Sequence, residues 1–319
     1  MYSKYFYKNE TMRQVFYTLI PIIIYGIYVF GWRVLFLLIF NLIIAILLKL
    51  VIAKYNSKEM KISESIFVVS TIFTMSLPPS IPFLISLIGV VFVIVFEELI
   101  IKVFKENFLN KLMIGRLFIY ILFPKFLTRW NEASNIGNVI NGLGGFSKWI
   151  TPMLDTISNP TPLVDISNTG IMYNLRELIF GNHAGSIGEL SIILIIGAAF
   201  YLLYRKIISY DLIISSLIGF FGSSYIFIML GYGHKVLPPL EAIFLGGFLF
   251  STIFIINRPT AYLRTEKEKW IYGLLFGIVT VIIRSFTPLP EGVMLSILII
   301  EILEFIYIRK IKLKNIKIS

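Results

Sequence analysis

"VLFLLIFNLIIAILL", residues 34–48, carries no charge, and Asn41 is its one polar side chain. A helix through this stretch and its flanks reaches the roughly 20 apolar residues that a hydrocarbon core requires. The stretch before it, "FYTLIPIIIYGIYVF" at residues 16–30, reads the same way. The whole chain of 319 residues is 57% hydrophobic and 15% charged, with mean hydropathy +0.85. A soluble domain of this length holds more charge and breaks its apolar runs more often. The expected fold class is therefore an all-α polytopic membrane protein, with the lipid bilayer as its first partner.

About ten transmembrane helices are expected, at residues 14–31, 34–53, 63–77, 81–101, 112–127, 187–204, 212–231, 238–257, 270–286 and 291–308. The N-terminus "MYSKYFYKNETMRQ" shows no small-residue cleavage site, so the first span is read as retained. With that terminus in the cytoplasm, basic residues fall on one side. Lys4, Lys8, Arg13, Lys54, Lys58, Lys61, Lys102, Lys105 and Lys111 all lie inside, as do Arg205, Lys206, Arg258, Arg264, Lys267, Lys269 and the tail "RKIKLKNIKIS". The short outside loops hold Arg33 and Lys235. This asymmetry predicts an inner-membrane, multi-pass protein with both termini cytoplasmic. One connection of about sixty residues, from Lys125 to Ser186, exceeds ordinary loop lengths and reads as functional. Five spans precede it and five follow. The expected organisation is a first membrane half at 1–127, an external loop at 128–186, and a second half with a basic tail at 187–319. An odd number of spans per half gives the halves inverted topology, with a site between them.

Several chemistries are excluded within the chain. There is no Cys, hence no disulfide, thiolate metal site, iron–sulfur ligation or cysteine nucleophile. Two histidines, His183 and His234, are too few for a typical haem or zinc cluster, and no metal ligands are assigned. The net charge of +11 lies in short loops beside apolar spans, so it reflects topology rather than nucleic-acid binding.

Three polar motifs stand out. In "GNHAGSIGEL", Ser186 and Glu189 have capping-box spacing. Equally, Gly185, Ser186 and Gly188 could open a helix N-terminus to a phosphate. In "ENFLNKLMIGRLF", Asn107 and Asn110 are three apart and can aim two amides at one polar ligand. An ordinary helix entry with a snorkelling Arg116 explains them too. In "DTISNPTPL", Pro160 and Pro162 hold Thr161 in an extended segment that suits docking or modification, or forms a plain Pro-rich turn. Glu97, Glu98, Glu301, Glu304 and Arg284 lie in or near spans, as candidates for an ion path or as interfacial charges.

"FGWR" (residues 30–33), "LPPSIP" (77–82), "GNHAGSIGELSIILIIGAAFYLLYRKIIS" (181–209) and "PEGVMLSILI" (290–299) carry a resemblance that spans nearly the whole chain. They resemble the RnfD component of the Rnf electron-transport complex, a relative of the NqrB component of the sodium-pumping NADH:quinone oxidoreductase. The chain is without the extra N-terminal region of NqrB proteins, which favours the Rnf side. In this family an external loop D-x-x-S-G-A-T-P-L carries FMN on its threonine through a phosphoester. Asp155, Ser158, Thr161, Pro162 and Leu163 match, so the resemblance implies a covalent FMN on Thr161, attached by a flavin transferase. Asn159 and Pro160 stand where the family has Gly-Ala. Asn107, Asn110, Arg116 and Phe118 match N-x-x-N-P-A-x-x-x-R-A-F, a region associated in the NqrB branch with a second, non-covalent flavin (riboflavin or FMN).

The resemblance thus implies a flavin-carrying subunit of an ion-translocating ferredoxin:NAD oxidoreductase complex. It would work with other membrane and peripheral subunits, would have no catalytic residues of its own and would be inactive alone. The rival expectations are a cofactor-free inverted-repeat transporter or channel, and a pure assembly subunit. A transporter would have broken spans facing each other at mid-membrane, for which Gly89 and Gly197 are the weak candidates in the sequence.

Overall fold

A computed structural model describes residues 6–56, 62–104, 109–128, 175–181, 185–257, 265–287 and 292–316. A short strand β1 (Phe6–Tyr7) leads into helix α1 (Glu10–Phe30), whose N-cap Asn9 accepts the Met12 amide. Gly31, at φ +86°, reverses the chain within one turn into α2 (Arg33–Tyr55). Strand β2 (Ile62–Ser63) pairs in parallel with β1 and opens α3 (Ser65–Met75). Then come α4 (Phe83–Phe104), α5 (Lys111–Leu122) and the short α6 (Pro124–Leu127). Further along the chain lie α7 (Leu175–Phe180), α8 (Ile192–Tyr204) and α9 (Tyr210–Phe227), which runs on as a π-helical turn over Ile228–Tyr232. Helices α10 (Pro239–Phe244) and α11 (Phe248–Phe250) are followed by a π-helical stretch, Ser251–Ile256, and by α12 (Glu266–Phe286) and α13 (Gly292–Ile316).

The protein is an all-α polytopic membrane protein. Among the described residues, five helices are long and apolar enough to cross a bilayer: Glu10–Phe30, Arg33–Tyr55, Phe83–Phe104, Tyr210–Tyr232 and Glu266–Phe286. Each of the ten expected spans has a helical counterpart, but several are shorter or interrupted. Helix α3 has 11 residues, which gives about 16 Å of rise, about half the thickness of a core of roughly 30 Å. The expected span 238–257 is split at residues 245–247. Gly89 and Gly197 break nothing, since both lie inside continuous helices. At Gly89 the reason is packing, because a Cβ would meet the Phe73 ring at 2.6 Å.

Helix pairings recur in the two parts of the chain. In the first, α2 packs on α4 and α4 on α5; in the second, α9 packs on α12 and α12 on α13. Across the parts, α1 meets α8 and α5 meets α13. The α9–α12 contact is the closest of these, and small residues make it possible. A Cβ on Gly277 would strike the Phe220 amide nitrogen and the Ser216 carbonyl, and one on Gly219 would strike the Leu274 carbonyl.

Gly277→Ala is expected to destabilise the protein by about 1–3 kcal/mol, because only backbone movement can admit the methyl group. Gly222→Ala on the same helix pair meets nothing within 4 Å and is expected to melt at or slightly above the wild-type temperature. Thermal unfolding in detergent reads both. Equal melting of the two variants would show that the α9–α12 contact has slack.

Candidate functional site at the interrupted helices

Helix α3 stops at Met75 because Pro78, Pro79 and Pro82 follow, removing amide donors and forcing extended geometry. The stop leaves backbone carbonyls inside the protein. Arg33, placed by sequence in an outside loop, instead starts α2 and is 3% exposed. Its Nε donates to the Pro79 carbonyl (3.1 Å) and its Nη2 to that of Ile81 (2.7 Å). The guanidinium also lies 4.7 Å from the Phe83 ring centroid.

The second interruption has another cause and the same remedy. Gly246 and Gly247 have φ of +66° and +68°, a left-handed conformation that favours glycine. Arg284 donates from Nη1 to the Ala242 carbonyl (2.8 Å) and from Nη2 to those of Leu245 (3.1 Å) and Gly246 (2.9 Å).

Residues 185–190 wedge between the two interruptions. The Gly188 amide donates to the Met75 carbonyl (2.8 Å) and the Ile187 amide to that of Leu77 (3.3 Å), so the loop completes the open end of α3. A Cβ on Gly188 would lie 3.0 Å from both Met75 Cβ and Phe250 Cε2, which shows how closely the α3 end and the last residue of α11 approach it. Ile187 packs on Gly26 of α1.

Inside this wedge the Glu189 side chain is buried. Its Oε1 accepts the Ser186 amide at 2.6 Å. A Cβ on Gly185 would collide with Oε1, and one on Gly247 would come within 3.1 Å of Oε2, so the carboxylate fills a niche bounded by glycines. Arg116 and Arg284 act on its charge through space.

The capping-box expectation is half met. Glu189 returns to the Ser186 amide, but the pair forms a turn ahead of the helix. The N-cap of α8 is Ser191, which accepts the Leu194 amide. A full capping box occurs at Thr265 and Glu268 instead. The Ser186, Ile187 and Gly188 amides are taken by protein acceptors. A phosphate at Gly185, Ser186 and Gly188 would therefore meet a carboxylate and no open amide from residues 186–188, and this loop is a poor fit for a flavin phosphate.

A second site lies at the end of the bundle where α1 begins. Asn110 is 2% exposed and caps α5, its Oδ1 accepting the Leu112 amide (3.1 Å). Its own amide donates to Glu301 Oε2 (2.5 Å) and its Nδ2 to the Ile255 carbonyl (3.4 Å), tying α5 to α13 and the π-helical stretch. Next to it, Lys111 pairs with Glu97, and Lys49 bridges Glu97 (2.8 Å) and Glu98 (3.0 Å). These four charges line a cavity of about 580 Å³, together with Tyr7 and Ser63. Glu97 and Glu301 are thus buried and partnered. His234 is exposed. Asn107, Ser158, Thr161 and His183 lie outside the described residues.

Polytopic proteins that keep irregular backbone inside the membrane do so only where protein or a polar path surrounds it. That is the class this geometry defines. The chain belongs to the NQR2, RnfD, RnfE family, whose sequence profile matches residues 6–317. Among its relatives is the B component of the Na(+)-translocating NADH-quinone reductase of Klebsiella pneumoniae (strain 342). That protein is 29% identical over 248 residues, covering 76% of this chain and 58% of the relative. The corresponding reductase components of Yersinia pestis, at 29% over 248 residues, and Azotobacter vinelandii, at 28% over 245, are similar in extent. The chain spans a little under three-fifths of the length of these relatives.

Arg284→Lys keeps the charge but presents a single ammonium to three carbonyls. It is expected to lower stability by about 1–3 kcal/mol for each carbonyl left without a donor. Chemical or thermal unfolding checks this, and wild-type behaviour would mean that other donors reach residues 242–246.

Proposed function

We propose that this chain is the membrane-embedded, flavin-carrying subunit of an ion-translocating electron-transport complex. The observation that carries the reading is the convergence of two interrupted helices on residues 185–190, in a chain whose relatives include components of a Na(+)-translocating reductase. Interrupted helices at mid-depth suit ion passage, because free peptide dipoles replace part of an ion's hydration there. The recurring helix pairings support two five-helix halves of inverted topology, with termini inside and residues 128–186 outside.

On this reading FMN is joined to Thr161, and a second flavin sits near Asn107 and Asn110 at the inner mouth. The cavity beside Lys111 has the size of a small-molecule site. Bound flavin would supply electron transfer. The chain's own residues would hold it, exclude water and steer a cation. Glu189 is the group we assign to the cation path, since a buried carboxylate among glycines offers oxygen without steric hindrance. NADH or ferredoxin would be handled by partner subunits. The Rnf-like and NADH:quinone forms of this function differ in those partners. A cofactor-free transporter is the second reading, and the same interrupted helices favour it.

Mass spectrometry of the denatured chain, with the Thr161 peptide sequenced, separates the two. An added mass of FMN minus water on Thr161 is expected. An unmodified peptide, from a host that flavinylates related proteins, would leave the transporter reading standing. Glu189→Gln in the reconstituted complex is expected to fold and to slow cation uptake about tenfold relative to electron flow, the effect of roughly 1.4 kcal/mol on a barrier. An unchanged ratio would remove Glu189 from the path.

A further inference from the structure

We propose that the pocket formed by Lys8, Arg13, Phe16, Tyr17, Glu64 and Phe67 binds the phosphodiester headgroup of an anionic phospholipid. The pocket has a volume of about 580 Å³ and lies where α1 leaves the apolar region, the depth at which headgroups sit. Lys8 and Arg13 provide two cations and Glu64 one anion, so the site carries a net charge of +1. A phosphodiester carries the matching single negative charge. Glu10, exposed on the first turn of α1, is a further carboxylate at this end of the helix, and it lies 4.0 Å from Arg205.

The Arg13 guanidinium is held in place. Glu64 is 5% exposed. Its Oε1 accepts from Arg13 Nη2 (2.6 Å), and its Oε2 accepts the Asn9 amide (2.7 Å). The same carboxylate thereby fixes the guanidinium and the entry to α1, whose amino terminus adds a positive dipole end. Lys8 directly follows strand β1. Successive side chains of an extended segment point to opposite faces. Tyr7 accordingly faces the cavity lined by Lys49 and Glu97, while Lys8 faces this pocket.

A lipid rather than a free phosphate is indicated by what adjoins the pocket. Tyr17, Ile20 and Ile24 are 52%, 37% and 54% exposed and stand on one face of α1. This apolar stripe runs from the pocket towards the middle of the span, where an acyl chain joined to the headgroup would lie. Soluble phosphate would make no use of it. Each cation near a membrane surface contributes about 1 kcal/mol to anionic-lipid binding, or roughly fivefold in affinity.

The test is native mass spectrometry of the full-length chain, released from detergent containing equal phosphatidylglycerol and phosphatidylcholine. It requires no flavin and no knowledge of the cation path. Wild type is expected to retain phosphatidylglycerol preferentially, and Lys8→Gln to reduce that preference about fivefold. Arg13→Gln is expected to reduce it at least as much, and exposed Lys8 supplies the deciding variant if loss of the Glu64 pair disturbs folding. Millimolar inorganic phosphate is expected not to displace the lipid. Absence of preference, or a preference unchanged in Lys8→Gln, overturns the proposal. Displacement by inorganic phosphate assigns the pocket to a soluble anion and also overturns it.

Discussion

A peptide group in the middle of a membrane must have a hydrogen-bond partner, because no water is there to supply one. An unbroken helix meets this requirement by itself. This protein breaks two helices and must therefore find partners elsewhere. It uses two arginines, Arg33 and Arg284, each reaching several carbonyls of one break, and a loop whose own amides complete the end of α3. Arginine suits the task for geometric reasons. Its fork of donors is planar and stays charged, so one side chain serves carbonyls that point in different directions. The remaining features at this level follow from the arrangement. Gly188 lets the loop approach α3, and Gly247 leaves room for the Glu189 carboxylate.

Much of this is legible in the sequence. Runs of apolar residues locate the helices, and their edges agree within a few residues at α1, α2, α4 and α9. The family resemblance is legible in short motifs, and the cap at Asn110 is one of the two readings its spacing allows. The breaks are harder to see, although their signals are present. Pro78, Pro79 and Pro82 interrupt α3 from within a run that remains apolar, and Gly246–Gly247 does the same beyond α10. Mean hydropathy passes over such positions because proline and glycine barely lower it. Arg33 escapes sequence reasoning for a related reason. Its partners lie 46 and 48 residues away, and nothing local distinguishes a buried arginine from one in a loop. Glu97 and Glu301 look interfacial in sequence because each lies near a helix end, whereas tertiary packing gives them Lys49, Lys111 and the Asn110 amide.

The two sites differ in how they are held. The wedge at residues 185–190 is fixed by backbone hydrogen bonds and by contacts in which a single added carbon would collide. The cluster at Lys49, Glu97, Glu98 and Lys111 is held by ion pairs of long side chains beside a cavity. Lysine can exchange one carboxylate for another by rotating its stem, with little backbone movement. The rigid part is therefore the part that keeps the broken helices open, and the adjustable part adjoins the cavity.

The arrangement of the two arginines also bears on how the protein is made. Chains enter a membrane from the amino terminus, so a residue can meet only what has already been synthesised. Arg33 precedes the carbonyls of Pro79 and Ile81, and is waiting when they arrive. Arg284 comes 38 to 42 residues after the carbonyls it binds. The second break must leave the ribosome and stand without its donor until α12 follows. Until then the Ala242, Leu245 and Gly246 carbonyls lack the arginine that binds them in the folded protein. The Arg33 contacts can thus form as the first half emerges, whereas the end of α3 waits for the Ile187 and Gly188 amides and the second break waits for α12.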